Sequence, residues 1–174
     1  INPLHKGFLR KKLGIKEEII IKSLESFEGI GRRLELISDD NGIRVYDDYA
    51  HHPTAIRATL LALRDRYPKN RIWAIVEPHG FDRTHVLLAK YKGVFKDADK
   101  VIIGPIFKAR DKRTFRVTPG LVAKVSNHSD AQGVNSFDKI VNILSKNIKQ
   151  GDVIIVMGAG KSNLWAKEIC NLKI

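Results

Sequence analysis

Two rhythms of apolar residues alternate along most of this chain. Short unbroken apolar runs, such as Val101-Ile102-Ile103 and Val153-Ile154-Ile155-Val156, are separated by segments in which apolar side chains return every three or four residues. The first rhythm predicts buried strands and the second amphipathic helices. From residue 33 onward the pattern gives strands over 34–38 and 43–46, a helix over 53–66 with Ile56, Leu60 and Leu63 inward, and a strand over 71–76. A helix over 83–95, a strand over 100–104, a helix over 119–125 and a short strand near Gly133 follow. The chain closes with a helix over 136–148, a strand over 152–157 and a helix over 162–169. The 136–148 stripe of Phe137, Ile140, Val141, Leu144 and Ile148 is the clearest of the helical faces.

Asn41-Gly42 lies between the first two strands, and both residues tolerate positive φ, so these strands are predicted to pair as a hairpin at an edge. The other strands are apolar throughout and each is followed by a helix, the pattern of a parallel sheet covered on both faces. The expected fold is a Rossmann-like three-layer α/β sandwich, its sheet mostly parallel with an antiparallel edge hairpin. Ahead of it, Ile20, Leu24 and Phe27 share one helical face until Gly29 and Gly31 break the pattern. A boundary near Gly31 therefore divides a helical segment, 1–31, from the α/β domain, 32–174.

Composition narrows the setting. Of 174 residues, 43% are hydrophobic and 29% charged, and no apolar run approaches the roughly 18 residues needed to span a bilayer. Cys170 is the single cysteine, which excludes an internal disulfide, and residues 1–12 lack the apolar core of a secretory signal, so a reducing cytoplasm is the expected location. The net charge of +12 points to an anionic partner. Basic residues are strewn along the chain without a zinc-finger, RRM or KH pattern, so nucleic acid is not the expected partner. A non-catalytic anion-binding or nucleic-acid-binding module is the alternative of another class.

Four polar clusters follow predicted strands: 47–52, 77–83, 104–108 and 158–161. That places all of them at strand carboxyl ends, where open parallel sheets bind ligands. Asp47-Asp48-Tyr49-Ala50-His51-His52-Pro53 brings carboxylates, a phenol and imidazoles together ahead of a proline suited to a helix's first turn. A strand-end carboxylate can accept ribose hydroxyls while the imidazoles face a second substrate; the bland alternative leaves Asp47 to the hairpin and His52 as a helix cap. Adjacent histidines in an extended segment point apart and no further ligand stands at metal spacing, so no metal site is predicted. Pro78-His79-Gly80-Phe81-Asp82-Arg83-Thr84 offers an imidazole, a guanidinium and a helix start that could dock an anion; the alternative is a cap by Asp82 with Arg83 solvated. Gly158-Ala159-Gly160-Lys161-Ser162 lacks the P-loop's first glycine, whose position is Ile155, but its amides could still meet an anion or let two domains approach closely; a glycine turn serving only geometry is the equal alternative.

Together these residues resemble the carboxy-terminal domain of the Mur ligases, ATP-dependent enzymes that add amino acids to UDP-N-acetylmuramic acid in peptidoglycan synthesis. The resemblance runs from Ser26-Phe27-Glu28-Gly29 and Arg32-Arg33-Leu34-Glu35 through Asp47 to Thr54 and on to Met157-Gly158-Ala159-Gly160. With Pro78-His79 and Arg83-Thr84 it is most similar to the members that join L-alanine to UDP-N-acetylmuramate. The stretches 51–64 and 72–78 also resemble the member that recycles a ready-made tripeptide onto the same nucleotide sugar. The resemblance implies a three-domain bacterial enzyme, cytoplasmic, using ATP and Mg2+, with the P-loop, the metal ligands and the UDP site outside this chain. Residues 1–31 would then end the central ATPase domain, and this piece would be inactive alone. It implies further that Arg33 reaches the ATP phosphates, that Asp48 holds the ribose, and that Tyr49, His51, His79 and Arg83 surround the incoming amino acid. His52, Gly158 and Gly160 would support the site. The implied chemistry is phosphorylation of the muramyl carboxylate, attack of an amine on the acyl phosphate, and loss of phosphate through a tetrahedral intermediate. One position departs from that pattern: the alanine-adding members usually carry arginine after Pro-His, and here Gly80 stands there, which leaves Arg83 alone to meet an amino-acid carboxylate.

Overall fold

A computed structural model describes residues 14–26, 30–111 and 117–172. Two compact units divide the chain, residues 1–31 and 32–174. In the first, helix α1 (Glu17–Glu25) opens with Glu17 and Glu18 in its first turn and buries Ile20. Of the stripe read from the sequence, Phe27 and the side chain of Leu24 lie outside the described residues.

The second unit is a sheet of six strands in the order β1-β2-β6-β3-β4-β5. The strands are β1 (Glu35–Asp40), β2 (Ile43–Asp48), β3 (Ile72–Glu77), β4 (Lys100–Ile103), β5 (Ala131–Gly133) and β6 (Val153–Gly158). Only β1–β2 is antiparallel; the other neighbours run parallel. Asn41 and Gly42 turn the hairpin with φ of 50° and 74°, the positive pair that the Asn-Gly sequence favours.

Because successive strand residues face opposite ways, β3 sends Ile72, Ala74 and Val76 into one core and Trp73 and Ile75 into the other. The first core is closed by Ile56, Leu60 and Leu63 of α2 (Pro53–Arg66) and by Val122 and Ala123 of α4 (Pro119–Ser126). The second is closed by Ile140 and Leu144 of α5 (Phe137–Asn147) and by Trp165, Ala166 and Ile169 of α6 (Ser162–Cys170). This is the three-layer arrangement expected. Side chains set the helix starts: His52, Thr118 and Ser136 each accept a backbone N–H in the first turn of α2, α4 and α5.

One predicted helix is broken. In place of a continuous helix over 83–95 there is a short α3 (Phe81–Val86), a 3-10 turn (Leu88–Tyr91), and then turns that bury Val94 and Phe95. Gly93 adopts φ 69° and donates its N–H to the Ser126 carbonyl at 2.9 Å. A long-range hydrogen bond to α4 thus replaces the next helical turn.

Candidate functional site

The parallel register aligns Asp48 with Met157 and Glu77 with Gly158, so β2, β6 and β3 end together at one rim. Beside them Pro78–Gly80 runs along Phe107, with Gly80 N–H donating to the Phe107 carbonyl and Phe107 N–H to the Pro78 carbonyl, both at 2.8 Å. All four polar clusters read from the sequence are at this rim.

A ladder of rings crosses it. Tyr49 meets His51 edge-on at 5.2 Å between centroids, His51 lies 5.7 Å from His79, and His79 stacks on Phe107 at 5.2 Å. Tyr49 is 39% exposed, and the guanidinium carbons of Arg32 and Arg33 stand 5.1 and 5.6 Å from its ring centre. His51 Nδ1 is 2.8 Å from the Tyr49 carbonyl. A carbonyl only accepts, so Nδ1 carries the proton and Nε2 holds the lone pair of the neutral ring. Burial lowers the pKa of both imidazoles, and the positive charge of Arg83 lowers them further. His79 Nδ1 is buried without a hydrogen-bond partner among the described residues.

The rim's backbone amides, by contrast, are taken by the chain's own carboxylates. Glu77, 2% exposed, accepts from the N–H groups of Gly160, Lys161 and Ser162 at 3.0–3.1 Å. Of the uses open to the glycine turn, offering these three amides to an anion is therefore closed, because Glu77 fills them from within. Burial raises the pKa of Glu77, and those three hydrogen bonds pull the other way. Gly158 and Gly160 permit the approach: a Cβ at Gly160 would lie 2.5 Å from the Phe107 ring, and one at Gly158 would lie 2.8 Å from Glu77 Cβ.

The start of α3 is occupied in the same way. Asp111 accepts from Phe81 N–H, so a residue far along the chain, and not the alternative Asp82, takes this amide, which leaves His79 and Arg83 as the groups of the cluster that could meet an anion. Gly80 sits at φ 81° with Asp111 Oδ2 3.3 Å from where its Cβ would be. Arg83 is exposed, as is Arg33. Asp48, 4% exposed, accepts from Leu34 N–H at 2.8 Å and Ala50 N–H at 2.7 Å, so both its oxygens already bind backbone. His52 caps α2, its Nδ1 accepting from Thr54 N–H at 3.2 Å.

Sequence reasoning gave no role to Arg32, Phe107, Asp111 or Ser162. Asp47 pairs with Arg32 at 2.9 Å, and its other oxygen is buried without a partner among the described residues; burial raises its pKa against the pull of Arg32. The opposite edge carries polar groups as well. Asp152 there takes both Nε and Nη2 of Arg71 and the indole N–H of Trp73. These bonds tie β3 to β6, a structural task.

An open, mostly parallel sheet with aromatic, imidazole and guanidinium groups gathered on its carboxyl rim defines an α/β domain of the kind that binds ligands at that edge. Residues 32–160 match the family model described as Mur ligase, glutamate ligase domain, and the chain belongs to the Mur ligase family as its C-terminal domain. It is 48% identical over 151 residues to a UDP-N-acetylmuramate--L-alanine ligase of Acetivibrio thermocellus, covering 85% of this chain and 32% of that protein. The chain thus spans about a third of the length of such relatives. The crystal structure of a UDP-N-acetylmuramate-alanine ligase from Thermotoga maritima superposes with a TM-score of 0.74 at 20% identity, over 93% of this chain and 34% of that one. A solved domain from a Haemophilus ducreyi protein has a TM-score of 0.58 at 33% identity, covering 79% of this chain and 96% of that one. That protein is described as a putative UDP-N-acetylmuramate:L-alanyl-gamma-D-glutamyl-medo-diaminopimelate ligase.

Proposed function

We propose that this domain is the acceptor-binding lobe of a bacterial, cytoplasmic, ATP-dependent ligase that joins L-alanine to UDP-N-acetylmuramate. The observation that carries the reading is the Tyr49–His51–His79 ladder, set beside the exposed guanidiniums of Arg33 and Arg83 on one sheet rim. Arg83 meets the carboxylate of the incoming amino acid. His51, kept neutral by burial and holding its lone pair on Nε2, takes the hydrogen of the attacking amine, and Tyr49 and His79 wall the acceptor.

ATP supplies the phosphoryl group that activates the muramyl carboxylate. The donor set here fits its phosphates through Arg33, because the amides at the start of α6 are already bonded to Glu77. Asp48 reaches the ribose only with lone pairs left over from its two backbone bonds. Among the described residues no group of three His, Cys, Asp or Glu could hold a metal ion, and we place the Mg2+ ligands with the P-loop and UDP site in the N-terminal and central domains. Residues 1–31 belong to that central domain, and the lobe is inactive without it. No described helix is long and apolar enough to cross a membrane.

A second reading is favoured by Gly80 and Asp111. A carboxylate lies against the position after His79, which suits the tripeptide-adding ligase better than a free amino acid that needs a second cation. Phosphate release by the full-length enzyme, assayed with UDP-N-acetylmuramate and either L-alanine or the tripeptide, tests both. Release with L-alanine supports the first; release only with the tripeptide replaces it with the second. Release with neither, together with salt-sensitive DNA binding, returns the domain to an anion-binding module.

A further inference from the structure

Arg33 stands between two non-glycine residues of positive φ, Arg32 at 58° and Leu34 at 47°. Residues with a Cβ disfavour that region, so each conformation is held by its surroundings. At residue 32 the backbone N–H donates to Glu35 Oε2 at 2.6 Å, and the carbonyl accepts from Tyr49 N–H at 2.8 Å. The Arg32 guanidinium turns into the sheet end, donating from Nε to Asp47 Oδ2 at 2.9 Å and from Nη2 to the Gly158 carbonyl at 2.7 Å and Ser162 Oγ at 2.9 Å. At residue 34 the N–H donates to Asp48 Oδ2 at 2.8 Å. The backbone on both sides of Arg33 is thereby fastened to the ends of β2 and β6 and to the start of α6, while Arg33 itself is exposed.

We propose that Arg32 is a positioning residue: its partly buried fork on Asp47, Gly158 and Ser162 fixes the left-handed backbone that presents Arg33 to the phosphate of the nucleotide. The inference rests on the reading that Arg33 meets ATP. Its stability logic is unusual. The fork leaves Asp47 Oδ1 buried with no partner among the described residues, an incomplete ion pair where an apolar contact would hold the fold at least as well. Such an arrangement makes sense where holding a neighbour in place matters more than stability, because a prearranged cation loses less freedom when its phosphate arrives.

The test is a double-mutant cycle in the full-length ligase, read as KM for ATP. Arg33→Ala examines the underlying reading: a rise of tenfold or more, on the order expected for losing an aligned contact, upholds it, and an unchanged KM removes it. Arg32→Lys keeps the charge but cannot form the fork, and should raise KM for ATP by roughly tenfold, leaving KM for the amino acid within about twofold. In the Arg33→Ala background the same Arg32→Lys change should add less than about twofold. No effect of Arg32→Lys alone, or an effect that multiplies undiminished in the double variant, overturns the inference while leaving the Arg33 reading intact. Ser162→Ala removes one arm of the fork and should show the same pattern at smaller amplitude, which keeps the cycle available if Arg32→Lys does not fold.

Discussion

Glu77 at the end of β3 caps the first turn of a helix that starts at Ser162, 85 residues further on, with one carboxylate oxygen shared by the N–H groups of Gly160 and Ser162 and the other taken by Lys161. A carboxylate thus occupies the kind of amide cradle in which nucleotide-binding folds hold a phosphate. Glu77→Gln keeps one oxygen but turns an amide NH2 toward a backbone donor, so a buried N–H loses its acceptor and the helix start loses its compensating charge. Unfolding in urea should show a loss of about 1–3 kcal/mol. A variant as stable as the parent would mean that the amides bind elsewhere.

Gly160 couples that cradle to the ring ladder. A methyl group there would meet the Phe107 ring at 2.5 Å and Glu77 Oε2 at 2.7 Å, and Phe107 carries His79 stacked at 5.2 Å. Gly160→Ala should therefore destabilise the domain by about 1–3 kcal/mol and also move the ring-proton resonances of His79. Trimming the clashing ring should relieve part of the loss, so Gly160→Ala with Phe107→Ala should fall short of the sum of the two single effects. Full additivity, with His79 undisturbed, would contradict the packing described.

What the sequence revealed and what it hid differ by range. The hairpin was legible because Asn41-Gly42 is a local signal, and helix α2 because Pro53 and the capping His52 mark its start within three residues. The polar clusters were placed on the right rim because strand order and direction fix where strands end. The break after Val86 was not legible, since it depends on the Gly93–Ser126 hydrogen bond. Nor were the filled amide sites: Glu77 on α6 and Asp111 on α3 are contacts 83–85 and 30 residues apart, with no local spacing to betray them. A charged residue ending an otherwise apolar strand, as Glu77 does, was the one clue available, because a buried carboxylate must find donors.

The imidazoles give the site its pH dependence. Burial is the largest cause lowering the pKa of His51, with Arg83, His52 and Arg33 adding to it against the hydrogen bond to the Tyr49 carbonyl. For His79 burial again comes first, then His51 and Arg83, with Asp111 opposing. In the folded chain both should titrate below the ordinary 6.5 when followed by NMR of their ring protons, and Arg83→Ala should move both upward. The folded state then binds these protons less readily than the unfolded chain, so this contribution to stability declines as pH falls through 6.5. Asp47 and Glu77, raised from 3.8 and 4.5, act in the opposite sense: the folded state holds their protons more readily, and their contribution declines as pH rises from those values toward the folded ones. Stability measured against pH should accordingly show the histidine slope near pH 6 flatten in Arg83→Ala while the acidic limb stays in place. If either imidazole titrates above 6.5 in the parent chain, the partly buried His51–His79 pair is not the one described.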